Sequence, residues 1–186
     1  MPAASVRAMT TDEELTVRRA RPDDIPGLVA SSAGLFAEDA GTRDPSVDVG
    51  WPREHGAASF TAALADPARL VLVVAHTGEV VGHLTGTLTD PSAVRPVKSA
   101  TLNGLSVRPA HRRARVGARL VEEFLAWAEA QGAGQAEVAA YAANPEAIRF
   151  YERHGFGPHA VTLRHVLGRK EEVETGPNEQ TGDVGR

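Results

Sequence analysis

The sequence predicts a mixed α/β (α+β) domain with a mostly antiparallel sheet and helices on both of its faces, and three observations carry that expectation. A β-branched run from Arg69 to His76 meets a second, Glu79 to Thr89, across a Thr77-Gly78 turn, as an antiparallel hairpin does. Val116, Leu120, Phe124 and Trp127, with Val121, Leu125 and Ala128 beside them, repeat at helical spacing and stop before Gly132 and Gly134. Strand, helix and strand patterns then follow in turn to Leu167.

Taken in order, Leu15 to Arg19 reads as a short strand, and Arg21-Pro22-Asp23-Asp24 as a helix start leading into Ile25, Leu28 and Val29. Residues 34 to 65 hold an apolar patch and a second helix from Pro52 to Leu64, separated by an acidic loop with Asp44, Pro45 and Asp48. The hairpin follows, and Pro91 and Pro96 then break the chain. From Lys98 to Val107 a further strand has apolar residues at Ala100 and Leu102, then at Leu105 and Val107. That alternation slips by one, and a slip turns a strand inside out unless a β-bulge absorbs it; Asn103-Gly104 is a suitable place. A strand buried on both faces, where parity means little, is the alternative. Gln135 to Tyr141 is the next strand. Asn144 then offers an N-cap, Pro145 a first helical residue, Glu146 a dipole match and Gly155 a C-cap, so a helix runs from Pro145 to His154. Ala160 to Leu167 alternates as a final strand.

With 186 residues, the chain has the length of one domain, expected over 14–168, between polar tails at 1–13 and 169–186 that lack any apolar period. Hydrophobic residues at 42% and charged residues at 24% are globular proportions, and no run approaches the roughly 20 apolar residues of a membrane span. The start lacks the pattern of a secretory signal, which makes the cytoplasm the expected location. Cysteine is absent, so disulfides, thiolate nucleophiles and thiolate zinc sites are excluded. The seven histidines form no His-x-x-x-His pair, and no metal site is expected. A net charge of −4 argues against a general nucleic-acid footprint.

Between the slipped strand and the clearest helix lies Arg108-Pro109-Ala110-His111-Arg112-Arg113-Ala114-Arg115-Val116-Gly117. A turn feeding a helix N-terminus points unpaired N–H groups outward, and Arg112, Arg113 and Arg115 add cations around them. Two adjacent phosphates suit such a place, and Gly117 would let a ligand approach the first helical turn closely. A solvated basic loop, a nucleic-acid patch and a protein-docking patch compete with that reading, and the loop alone does not decide among them.

What decides is the later run from Asn144 to Phe156. Together the two segments resemble the GCN5-related N-acetyltransferase (GNAT) superfamily across roughly Leu15 to Leu167. A strand ending in Val-x-Pro leads there into Arg-x-x-Gly-x-Gly, matched by Val107, Pro109, Arg112 and Gly117, while Asn144, Ala147, Phe150, Tyr151, Gly155 and Phe156 match the second motif. The resemblance implies a central sheet of six to seven strands and acetyl-CoA as the acyl donor. Its diphosphate would be held along Arg112, Arg113, Ala114, Arg115, Val116, Gly117 and Ala118. Its pantetheine arm would pair with the splayed strand edge at Leu105, Ser106 and Val107, and Asn144 and Ala147 would meet the arm. Tyr151 would lie near the thioester sulfur. The resemblance also allows a homodimer. Two positions depart from the family pattern. Arg115 stands at the first Gly of Gly-x-Gly, with Arg113 where another Gly is common, and the central strand carries Thr101 and Asn103 where many relatives have a glutamate.

The implied reaction moves an acetyl group onto a primary amine. Such an amine, with a pKa of ~10, must lose a proton before it attacks. Water held by Asn103 or a backbone carbonyl, or an acid among Glu38, Asp39 and Asp44, is the expected acceptor, and the Tyr151 phenol the expected donor to the departing thiolate. A tyrosine simply packed under its helix is the alternative. Glu38, Asp39, Asp44, Asp48 and Glu54 cluster in the segment that walls the acceptor pocket in this family, which favours a cationic acceptor such as a polyamine, aminosugar or protein amine; solvated loop charge explains them equally. A relative that binds coenzyme A as a sensor without turnover is the principal competing function.

Overall fold

The computed structural model describes residues 15–112 and 114–167. The two expected tails and Arg113 lie outside them. Strands β1 (Thr16–Arg19), β2 (Arg69–His76), β3 (Glu79–Thr89), β4 (Ser99–Val107) and β5 (Gln135–Val138) form one sheet in sequence order. The first four are antiparallel and β5 runs parallel to β4. Helix α4 (Val116–Ala130) covers one face, and α1 (Ile25–Leu35) and α3 (Trp51–Ala65) cover the other.

Alternation along β2 divides the core. Leu70, Leu72 and Val74 face Leu120, Val121 and Phe124 of α4, whereas Val71 and Val73 face Leu28 of α1 and Phe60 of α3. On β3 a Cβ at Gly86 would come within 2.9 Å of the Phe124 ring, so the missing side chain lets α4 settle onto the sheet. Helix α4 ends in a left-handed Gly132 (φ 74), with Ala133 N–H bonded to Ala128 C=O at 3.0 Å, the closure that a terminal glycine permits. On the α1 side, His83 of β3 is buried with Nδ1 2.7 Å from Ser31 Oγ and its ring edge-on to Phe60. Burial lowers its pKa to about 4.

The β3–β4 register shifts where the apolar parity slips: Thr85 opposes Gly104 and Gly86 opposes Leu102, which leaves Asn103 opposite no residue. Apolar side chains on both sides of the shift, Leu102 and Val107, therefore reach the same core.

Two expectations fail. The strand expected over Ala160 to Leu167 does not form, so the described sheet has five strands rather than six to seven. Alternation supplies two faces, but a strand also needs a partner edge, and this segment pairs with no strand among the described residues and leaves its large apolar side chains exposed. The strand expected over Gln135 to Tyr141 ends at Val138, where its pairing with β4 stops. The first helix is also longer than its sequence signals suggest. A 3₁₀ turn (Pro22–Asp24), α1, a π turn (Phe36–Ala40) and the short α2 (Gly41–Arg43) follow without a break.

Candidate active site

Strand β4 outruns its neighbour. Its pairing with β5 ends at Leu102 opposite Val138, yet the strand continues to Val107. Leu105, Ser106 and Val107 remain paired to Leu84, His83 and Gly82 of β3, which leaves the β5 side of that stretch as a free edge. The edge runs directly into the 3₁₀ turn Pro109–His111 and the start of α4.

At that start, no group among the described residues accepts from the amides of Val116, Gly117 or Ala118, and the first helical bond is Arg119 N–H to Arg115 C=O at 3.0 Å. These N–H groups carry the positive end of a helix 15 residues long. Arg112 leans back over the turn, donating from Nε to Val107 C=O at 2.8 Å. Gly117 abuts α5 (Pro145–Glu152): a Cβ there would stand 3.3 Å from the Phe150 ring. The absent side chain thus lets α5 close on α4, a packing role beside the one expected from sequence.

Arg115 caps α4 in the left-handed region, at φ 57 and ψ 10. That conformation costs an L-residue on the order of 1–2 kcal/mol, which glycine avoids in exchange for roughly 0.5–1 kcal/mol of chain entropy. Arg115→Gly is therefore expected to raise stability by up to about 1 kcal/mol in urea titration. A lower midpoint would mean that the Arg115 side chain contributes more than its backbone costs.

The π turn bonds across to the turn before α4 and to the cap of α5. Glu38 accepts from Arg112 Nη2 at 2.5 Å, and that guanidinium holds its carboxyl below the usual range. Asp39 Oδ1 accepts from Asn144 Nδ2 and from Arg43 Nη1, both at 2.8 Å, while Arg43 Nε reaches Ala143 C=O at 3.4 Å. On its other side Asn144 caps α5, with Oδ1 accepting from Ala147 N–H at 3.1 Å. Tyr151, one face of an aromatic cluster with Phe150 and Phe156, has its pKa pushed up to about 12 by burial and secondarily by the charge of Asp39. Asp44 accepts from both Arg164 Nη atoms, at 2.6 and 2.7 Å, and those bonds hold its carboxyl far below the carboxylate range.

The structure thus gathers Arg112, Asn144, Ala147 and Tyr151 around Glu38 and Asp39. Asn103 Oδ1 instead accepts from Thr87 Oγ1 on β3 at 2.8 Å, Ala114 is exposed, and Asp48 and Glu54 bond or lie near the start of α3, at Gly50 and His55. Sequence reasoning missed Arg43 entirely. Its i,i+4 spacing from Asp39 was the only available signal, and such pairs are common on solvated helices.

An α/β domain with a free central-strand edge running into open helix amides is the class these features define. The profile of the Acetyltransferase (GNAT) family matches residues 37–156, well over half the chain, and the chain belongs to that family. No curated protein matches it in sequence. Among solved structures it resembles a transcriptional regulator from Bacillus halodurans C-125, at 23% identity and a TM-score of 0.66, covering 83% of this chain and 100% of that one. It also resembles an aminoglycoside acetyltransferase from an uncultured soil metagenomic sample in complex with trehalose (18%, TM-score 0.63, 84% of this chain and 99% of that one). A Trypanosoma brucei acetyltransferase is similar too (18%, TM-score 0.60, 83% and 100%). At these identities the likeness establishes the fold, while family membership supports acyl transfer. No described helix is long and apolar enough to cross a membrane.

Proposed function

We propose that the chain is an N-acetyltransferase that carries acetyl from acetyl-CoA to a primary amine. The observation that carries this reading is the continuity of two open features: the β4 edge at Leu105 to Val107, beyond the end of its β5 pairing and engaged among the described residues by Arg112 Nε at the Val107 C=O, and the open amides of Val116 to Ala118. An extended arm bearing amides suits the first, and a diphosphate suits the second. Arg112 and Arg115 add charge there, and the Asn144 side chain faces the same region.

The thioester supplies an activated acetyl group. The amine nitrogen bonds to its carbonyl carbon, the carbon–sulfur bond breaks, the nitrogen loses a proton and the sulfur gains one. Tyr151 serves as proton donor to sulfur, since a phenol with pKa about 12 remains protonated at any physiological pH. Asp39 is the better placed of the expected acids, because its charge bears on that phenol. Its carboxylate would attract an ammonium acceptor and take its proton directly or through water.

Glu38 holds Arg112 while the site is closed, so cofactor phosphate and the Glu38 carboxylate compete for one guanidinium. Exposed pairs of this kind are worth ~0.2–1 kcal/mol, and Glu38→Gln is expected to tighten acetyl-CoA binding by about 1.4- to 5-fold in low-salt calorimetry. Weaker binding would place Glu38 on the ligand's side instead.

A thermal-shift series with acetyl-CoA, longer acyl-CoAs and free coenzyme A tests the cofactor, since a ligand bound to the folded state raises the midpoint. Thiol release across an amine panel then tests turnover. No shift with any of the thioesters would end the proposal. Binding without turnover on any amine would favour a coenzyme A sensor, the reading to which Arg115 at the glycine position and the lack of a carboxylate on β4 lend weight.

A further inference from the structure

One ion pair joins two unequal groups. Asp44 is the C-cap of α2 and its side chain is only 6% exposed, whereas that of Arg164, which grips it, is 58% exposed. The carboxylate is fixed in the fold. Its Oδ1 accepts from Ser46 N–H at 3.1 Å and from Ser46 Oγ at 2.6 Å, and the Asp44 N–H closes the helix on Ala40 C=O at 2.7 Å. The guanidinium comes from a stretch with no other anchorage. Every residue of 157–167 is exposed, and the bonds from Arg164 to Asp44, at 2.6 and 2.7 Å, are the only hydrogen bonds that stretch makes among the described residues.

A fixed carboxylate shielded from water, with both oxygens offered side by side, is a receptor for a planar guanidinium, which meets it with two parallel bonds. Arg164 fills that receptor, and a cation of the same shape from outside can take its place. The receptor stands beside the proposed site. Asp39 bonds Asn144, Arg43 reaches Ala143 C=O, and Arg164 at Asp44 lies within electrostatic reach of Tyr141, so all three face the loop between β5 and α5. Asp39 and Asp44 stand roughly 7 Å apart along the helical run, at 1.5 Å per residue. A short alkyl chain with an amine at one end and a guanidinium at the other spans such a distance when extended.

We propose that Asp44 anchors a guanidinium at the far end of the acceptor amine, and that Arg164 occupies this anchor as an internal stand-in until the acceptor displaces it. That role deepens the acetyl-transfer reading and rests on it for the fate of the bound amine. A ligand that must first displace Arg164 binds with its affinity reduced by the fraction of molecules in which Asp44 is open, so removing the arginine strengthens binding.

Agmatine has the required shape and is the probe, titrated calorimetrically into the full chain with and without free coenzyme A. Arg164→Ala should bind it at least about three-fold tighter than the wild type does. Butylamine, which lacks the guanidinium, should gain nothing. In Arg164→Ala/Asp44→Asn, whose amide oxygen still accepts from Ser46 but carries no charge, the gain should vanish. Thermal midpoints report whether each variant folds. Should the double variant fail to fold, Arg164→Lys supplies the comparison: lysine lacks the two-pronged fork, and its agmatine affinity should fall between those of the wild type and Arg164→Ala. Equal or weaker agmatine binding in Arg164→Ala overturns the proposal, as does an equal gain for butylamine or a gain that survives Asp44→Asn. So does the absence of agmatine binding up to roughly 10 mM under both conditions. Thiol release separates this proposal from its parent. Binding through Asp44 without acetylation of any amine supports the anchor and overturns the transferase reading, whereas acetylation of agmatine with KM unchanged in Arg164→Ala overturns the anchor alone.

Discussion

Tyr151→Phe should keep the fold and lose about 10²-fold in kcat, the lower end of what a positioned general acid contributes. The aromatic ring packs on Phe150 and Phe156 at centroid distances of 5.2 and 5.8 Å, and phenylalanine retains both contacts. Only the hydroxyl is lost, so KM for acetyl-CoA should change little while kcat and kcat/KM fall together. The pH profile separates this role from simple packing. A pKa raised to about 12 leaves the wild-type phenol protonated through pH 10, so no alkaline decline from Tyr151 is expected below that. A variant with wild-type kcat would assign Tyr151 to packing and leave proton delivery to solvent.

Acidification should weaken the folded chain through His83, by about 3 kcal/mol between neutrality and pH 4. The sign follows from burial: the folded imidazole has a pKa lowered to about 4, whereas in the unfolded chain it sits near the ordinary 6.5. Between those values the unfolded state binds the extra proton, so stability is full above about 6.5 and declines as pH falls toward 4. Ser31 hydrogen-bonds the ring but carries no charge that could hold the protonated form. Urea titrations at pH 7 and pH 4.5 should show the loss in the wild type. In a Ser31→Ala/His83→Leu double variant, which removes both polar partners together, the histidine contribution should vanish. An equal slope in both proteins would transfer the acid sensitivity to carboxylates such as Asp24, whose pairing with Arg18 lowers its pKa.

Local chemistry made much of this fold legible. The Thr77-Gly78 turn and its β-branched flanks give β2 and β3 with the boundaries expected from sequence, and the Val116 period gives α4. Asn144, Pro145 and Gly155 mark both ends of α5 because caps are decided within a few residues. The register shift at Asn103 left a trace in parity, since both halves of β4 must face one core. By contrast, Glu38 and Asp39 meet Arg112 and Asn144 across 74 and 105 residues, and nothing in their neighbours announces that closure. Ala160 to Leu167 misled for the opposite reason: its alternation is real, but alternation fixes faces and not a partner, and this segment pairs with no strand among the described residues.

The wide turn at Phe36–Ala40 bears on how this enzyme family member can vary. A π turn is an α-helix carrying one residue too many, and that surplus lets α1 and α2 keep their own phases on either side of it. Shortening the stretch by one residue would restore regular winding while α1 stayed packed on α3 and Arg43 and Asp44 kept their anchors. The carboxylates between them would swing by about 100° around the axis. The acidic stretch can therefore be re-aimed by length alone, without touching the core or α4.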